Sequence, residues 1–220
     1  MPRKSLLIMT AIIGAFFSCV PSADATLVII GITGEVTHVA DRLRSLEGNI
    51  NVGDIITGVY IYDLSTPGSD PWVYRRLYEH DAPPSGITLT VGGFVFMTDP
   101  ENIEFTVAVG NNYPTVGGAR DAFELKSKNN LPLSNGVLVS SIVLELFDPS
   151  ASALSSEALP ATAPVLEHWS TGYRDMRISG RGQASFTFYA HLTSAVLIPE
   201  PTTAVLLGLG GLAVLHKRRK

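Results

Sequence analysis

The chain reads as all-β, a single β-sandwich of jelly-roll type, on three observations. Phe186, Phe188, Ala190 and Leu192 alternate with Ser185, Thr187, Tyr189 and His191, the period of a half-buried strand. Gly92-Gly93 stands between Ile87-Thr88-Leu89-Thr90-Val91 and Phe94-Val95-Phe96-Met97, the pattern of a hairpin closed by residues of positive φ. Between the two chain ends, no stretch keeps helical periodicity for four turns.

Taken in order, 27–39 opens with apolar β-branched residues and forms the first expected strand. Ile55-Ile56-Thr57-Gly58-Val59-Tyr60-Ile61-Tyr62 is the second, stopped by the turn residues Ser65-Thr66-Pro67-Gly68. A third is expected over 72–78, and the Gly-Gly hairpin supplies two more. Ile103, Phe105, Val107 and Val109 alternate with Glu104, Thr106 and Ala108, and Phe123-Glu124-Leu125 continues the alternation. Asn135-Gly136 turns the chain into an apolar run over 137–147, and 149–164, rich in Ser and Ala, reads as a long surface loop. Eight to ten strands with short turns suit a sandwich or jelly roll.

The ends differ from this middle. Arg3 and Lys4 precede an apolar stretch over 6–17, and Ala23-Asp24-Ala25 offers the small residues that signal peptidase accepts. Cleavage is placed after Ala25, so 1–25 is a signal peptide. The chain's one cysteine, Cys19, leaves with it, and the exported remainder relies on packing without disulfides. At the other end, Pro199-Glu200-Pro201 precedes an apolar run over 202–215 and the basic residues Lys217, Arg218, Arg219 and Lys220. Those 14 residues as a helix reach only ~21 Å, short of the ~30 Å hydrocarbon core. The basic residues at both ends favour the cytoplasmic side, so what lies between is translocated. The segments are therefore 1–25, an ectodomain over 26–194, a linker over 195–198 and a sorting helix over 199–220.

Removing both ends takes six basic residues and two acids from totals of 16 and 20, leaving 10 against 18 and a net charge of −8. Such an acidic domain is a poor partner for nucleic acid and is well suited to solubility outside the cell.

Ile198-Pro199-Glu200-Pro201-Thr202-Thr203, the Leu- and Gly-rich run and the basic terminus resemble the PEP-CTERM sorting signal of Gram-negative bacteria. The resemblance implies processing by exosortase, a membrane-embedded cysteine peptidase, after transient anchoring in the inner membrane. It also implies a periplasmic, surface or matrix location in species that make exopolysaccharide and biofilm. Gly34-Glu35-Val36-Thr37, the segment 48–54, Thr57-Gly58-Val59-Tyr60-Ile61-Tyr62-Asp63 and the segment 85–93 are similar to a recurrent ectodomain of such proteins, one without an assigned activity.

Chemistry is sparse in the rest. No nucleophile elbow, zinc helix motif, phosphate loop or EF-hand spacing occurs, and the protein is read as non-enzymatic. His38, His80, His168 and His191 are far apart and are read as structural. Asn49, Asn51 and Asp54, with Asp63 and Asp70 nearby, are either calcium ligands or turn formers. Trp72, Tyr74 and Tyr78 share a parity on one expected strand, as a sugar-stacking platform or as core. The alternatives to an envelope or matrix component are a carbohydrate-binding module of the same fold and a secreted hydrolase using two of the 18 acids.

Overall fold

A computed structural model describes residues 27–72, 74–181 and 185–199, with the side chains of all but 71 and 72. Ala23, Ala25, Glu200, Pro201 and the basic residues 217–220, with both terminal apolar runs, lie outside the described residues.

The strands are β1 (Leu27–Ala40), β2 (Ile55–Asp63), β3 (Gly68–Trp72), β4 (Arg75–His80), β5 (Gly86–Val91), β6 (Phe94–Met97), β7 (Phe105–Thr115), β8 (Gly118–Ser127), β9 (Val139–Asp148), β10 (Arg174–Gly180) and β11 (Thr187–Leu197). All belong to one 11-stranded sheet in the order β3-β4-β7-β8-β9-β10-β11-β1-β2-β5-β6. Its pairs are antiparallel. The protein is thus all-β, with its strands joined in a single sheet.

Connectivity forces that sheet to roll. β2 and β3, β4 and β5, and β6 and β7 each stand eight places apart in the order. A flat sheet at about 4.8 Å per step would separate each pair by roughly 38 Å. The links 64–67, 81–85 and 98–104 are too short for that; the longest reaches ~28 Å when fully extended. Twist of roughly 20–25° per step turns the strand direction without shortening that distance, so the sheet has to curl as well for the end of β2 to meet the start of β3. Ring contacts join the facing parts: Tyr60 of β2 meets Phe123 of β8 at 6.5 Å between centroids, and Phe96 of β6 meets Phe188 of β11 at 5.4 Å. The end of β6 is also tied to the chain beyond β8, where Leu131 N–H donates to Met97 O at 2.9 Å.

The hairpin at Gly92-Gly93 forms as expected, with φ of 57° and 80°. A Cβ on Gly92 would run into the Asn49 carbonyl, so space as well as φ demands glycine there. Elsewhere the chain departs from expectation. The strand expected over 72–78 is two strands, because Tyr74 turns the chain at φ 70°. β10 was not expected; its inward apolar residues are only Met176 and Ile178, too few for a period-2 signal. β11 runs through the supposed linker at 195–197 and pairs there with β1.

The 149–164 loop is more than surface. Leu154, Leu159 and Ala163 pack against the core, and two short 3-10 turns follow, Leu166–His168 and Thr171–Tyr173. Tyr62 Oη donates to Pro160 O at 2.6 Å, and Tyr78 Oη donates to Glu157 O at 2.8 Å. Two buried acids hold the loop's start: Asp148 accepts from the N–H groups of Ser150 and Ser152, and Asp121 from those of Asn112 and Leu154. Backbone donors that the sheet leaves unpaired are thereby satisfied.

Candidate functional site

The structure separates the expected aromatic trio. Trp72 ends β3 and pairs with Arg75 across the turn. Tyr74 sits in that turn, 51% exposed, while Tyr78 points inward at 5%. A platform needs side chains on one face of one strand; the turn at Tyr74 removes that arrangement.

Asn49, Asn51 and Asp54 stay close on one turn and hydrogen-bond within it. Asp54 Oδ2 accepts from Asn51 N–H at 2.7 Å, and Asn51 Nδ2 donates to Gly48 O at 3.4 Å. Asp63 Oδ1 accepts from Ser65 N–H and Oγ, both at 2.8 Å. Asp70 pairs with Arg76 at 3.1 Å. Among the described residues, no group of three or more His, Cys, Asp or Glu is placed to hold a metal ion.

Of the histidines, His38 and His168 are exposed and His191 is half-buried. His80 is 4% exposed, in the core beside the rings of Tyr62 and Phe105. Its Nδ1 lies 3.0 Å from Thr66 Oγ1, and its Nε2 has no hydrogen-bond partner among the described residues. Burial lowers its pKa, against the opposing pull of Asp63 and then Asp81.

Register assembles a constellation that spacing does not suggest. On the outer face, Glu124 of β8 stands opposite Glu145 of β9, Glu145 opposite Asp175 of β10, Asp175 opposite His191 of β11, and His191 opposite Glu35 of β1. Directly opposed side chains lie about 4.5–5.5 Å apart at Cβ, and like charges so placed repel. Arg75 reaches Glu124 from β4 at 2.7 Å across β7, where Ala108 and Gly110 leave room. Val143 beside the row is 1% exposed, flanked by Lys126 and Arg177, whose aliphatic stems can cover it. Burial, and next the Glu124 charge, raises the pKa of Glu145. Burial likewise raises that of Asp175, with His191 opposing at 4.0 Å.

Set against protein-family models, curated proteins and solved structures, the chain matches none.

The ends of the described chain form a second feature. Ile30 pairs with Leu197, and Ile198 N–H donates to Ile29 O at 2.8 Å. The start of β1 and the end of β11 therefore leave the domain side by side. Val196, Leu197 and Ile198 are exposed there, as is Pro199. Among the described residues no helix is long and apolar enough to cross a membrane.

Proposed function

We propose that the chain is an exported, non-enzymatic component of the envelope or matrix of a Gram-negative bacterium. Signal peptidase releases its N-terminus, and exosortase processes its PEP-CTERM tail in an exopolysaccharide or biofilm setting. The observation that carries this reading is the adjacency of the two exits, fixed by the Ile198–Ile29 hydrogen bond. A translocated domain flanked by two membrane-seeking segments presents both ends to one bilayer without strain when they emerge together. The rolled sheet serves as a jelly-roll-like sandwich, an inert and acidic body between two processing points. The test is fractionation of the native host followed by mass spectrometry of the terminal peptides. Mature protein outside the inner membrane, beginning at Thr26 and lacking 202–220, is expected, with the uncut tail accumulating in an exosortase-deficient strain. Recovery of the intact chain from the cytoplasm would refute the proposal.

The carbohydrate-binding alternative loses its aromatic platform with the turn at Tyr74. A second reading, secreted glycoside hydrolase, has one observation in its favour. Glu124, ion-paired with Arg75, stands directly opposite Glu145, whose pKa burial raises; two carboxyl groups at close range are what that chemistry uses. Turnover of host exopolysaccharide by the mature protein, abolished in Glu145→Gln, would establish it, and absence of turnover leaves the non-enzymatic reading in place.

A further inference from the structure

The outer face carries a second row beside the acidic one, and its charge is opposite. Lys126 of β8 stands opposite Val143 of β9, Val143 opposite Arg177 of β10, Arg177 opposite Tyr189 of β11, and Tyr189 opposite His38 of β1. A register shift between Val36 and His38 brings His38 to this face, where its ring lies 6.0 Å from that of Tyr189. We propose that this two-row face is a docking surface for a second copy of the chain, in a two-fold dimer that lays each row on the opposite row of its mate.

The two rows are self-complementary. They stand two residues apart along β8 and β10, or about 7 Å. A two-fold axis lying between the rows and parallel to them turns one copy over onto the other and exchanges the rows. Each residue of the cationic row then meets the acidic-row residue of its own strand. Lys126 meets Glu124, Arg177 meets Asp175 and His38 meets Glu35, each twice by symmetry. A two-fold axis along the strands would instead lay the acidic row on itself. Charge thus selects one orientation and penalises the other.

The groups concerned are free to pair. Arg177, His38 and Glu35 are exposed, and Lys126 is half-buried. Neither Lys126 nor Arg177 makes an ion pair among the described residues, although the charge of Arg177 acts on Glu145. Docking gives these cations carboxylate partners, and it gives the carboxylates that register crowds together the opposite charge their own sheet supplies only in part. The contact is small. Four strand steps from β8 to β1 span about 19 Å, and the rolled sheet curves away on either side of β10. An area well below ~800 Å² per partner belongs to weak, reversible dimers. Nothing in this depends on the export reading.

Protein purified from its host, in the form that processing leaves, is followed by sedimentation equilibrium over a concentration series. About 0.15 M salt is used, where charges beyond ~8 Å are screened and the overall acidity of the two bodies counts for little. A reversible monomer–dimer equilibrium is expected. Arg177→Glu and Asp175→Arg should each weaken it by roughly tenfold or more. They change the net charge in opposite directions, so a loss in both cannot come from overall repulsion. Mixed in equal amounts, the two variants should associate with each other, since one carries acids at both positions and the other carries bases at both. The double swap Arg177→Glu/Asp175→Arg should self-associate as wild type does. Circular dichroism checks that each variant keeps its strands. Should the half-buried Asp175→Arg fail to fold, the exposed pair His38→Glu and Glu35→Arg on β1 repeats the test. Wild type that stays monomeric to about 1 mM, a dimer that ignores the single reversals, or folded variants whose mixture stays monomeric each overturns the proposal.

Discussion

Two neighbouring transverse rows run across the same five strands, and they obey opposite rules. On the inner face, Leu125, Leu144, Met176, Ala190 and Val36 stand opposite one another from β8 to β1, and each is buried. One residue along each strand, on the outer face, Glu124, Glu145, Asp175, His191 and Glu35 repeat the same register. The inner row gains from each neighbour because apolar area leaves water. The outer row puts carboxylate beside carboxylate, and Arg75, Arg177 and the half-buried His191 offset this only in part. Strand pairing cannot serve one face without dictating the other, so the apolar row sets a register whose electrostatic cost falls on the charged row.

The sharpest way to break this contrast is to substitute adjacent residues of β9. Leu144→Ala is expected to destabilise the domain by about 2–5 kcal/mol in urea unfolding, since a fully buried branched side chain is replaced by a cavity. A loss under 1 kcal/mol would mean that the inner row is not what holds the sheet together.

Asp148 provides a carboxylate of the other kind. Burial would raise its pKa, but hydrogen bonds from Ser150 and Ser152 outweigh this and hold it down at about 2. Asp148→Ala is expected to cost about 1–3 kcal/mol at pH 7 by orphaning the loop's donors. Its folded pKa is depressed, so its contribution is complete above the unfolded aspartate value. That contribution disappears as pH falls from 3.8 toward about 2. Thermal melts of wild type and variant should converge over that window.

Smaller still is Arg75→Gln, expected to cost about 1 kcal/mol at neutral pH, because it leaves Glu124 facing Glu145 without its partly buried partner. Adding salt should shrink the difference.

The smallest effect has the opposite sign. Glu145→Gln is expected to stabilise by less than about 1 kcal/mol at pH 7, by removing a repelled charge. The raised folded pKa of Glu145 means that wild type loses stability as pH rises through and above the ordinary glutamate range. The advantage of the Gln variant should therefore vanish on acidification. A destabilised Glu145→Gln at pH 7 would show that the row is favourable as built.

Which parts of this were legible follows from how far each signal reaches along the chain. Gly92-Gly93 announces its hairpin because a two-residue turn needs positive φ and the flanking alternation is local. The turn at Tyr74 has no local signal, because a tyrosine at positive φ carries no turn chemistry of its own and the residues on either side read as one continuous strand. The outward positions of Glu145 and His191 can be read from alternation in β9 and β11. That they share a row with Asp175 cannot, since the 25 residues 149–173 of loop and turn lie between β9 and β10. Asp54 and Asp63 were visible as acids near turns, and the structure adds which backbone donors they hold.

By itself the sequence determined that this is a β protein with an acidic middle and two apolar ends, because strand period, turn residues and charge are properties of short segments. Only the tertiary structure decided that eleven strands make one rolled sheet, that charged residues from five strands face one another, and that β1 begins where β11 ends. Those are matters of register and strand order, set by the collective burial of side chains distant in sequence, and no local stretch of chain encodes them alone.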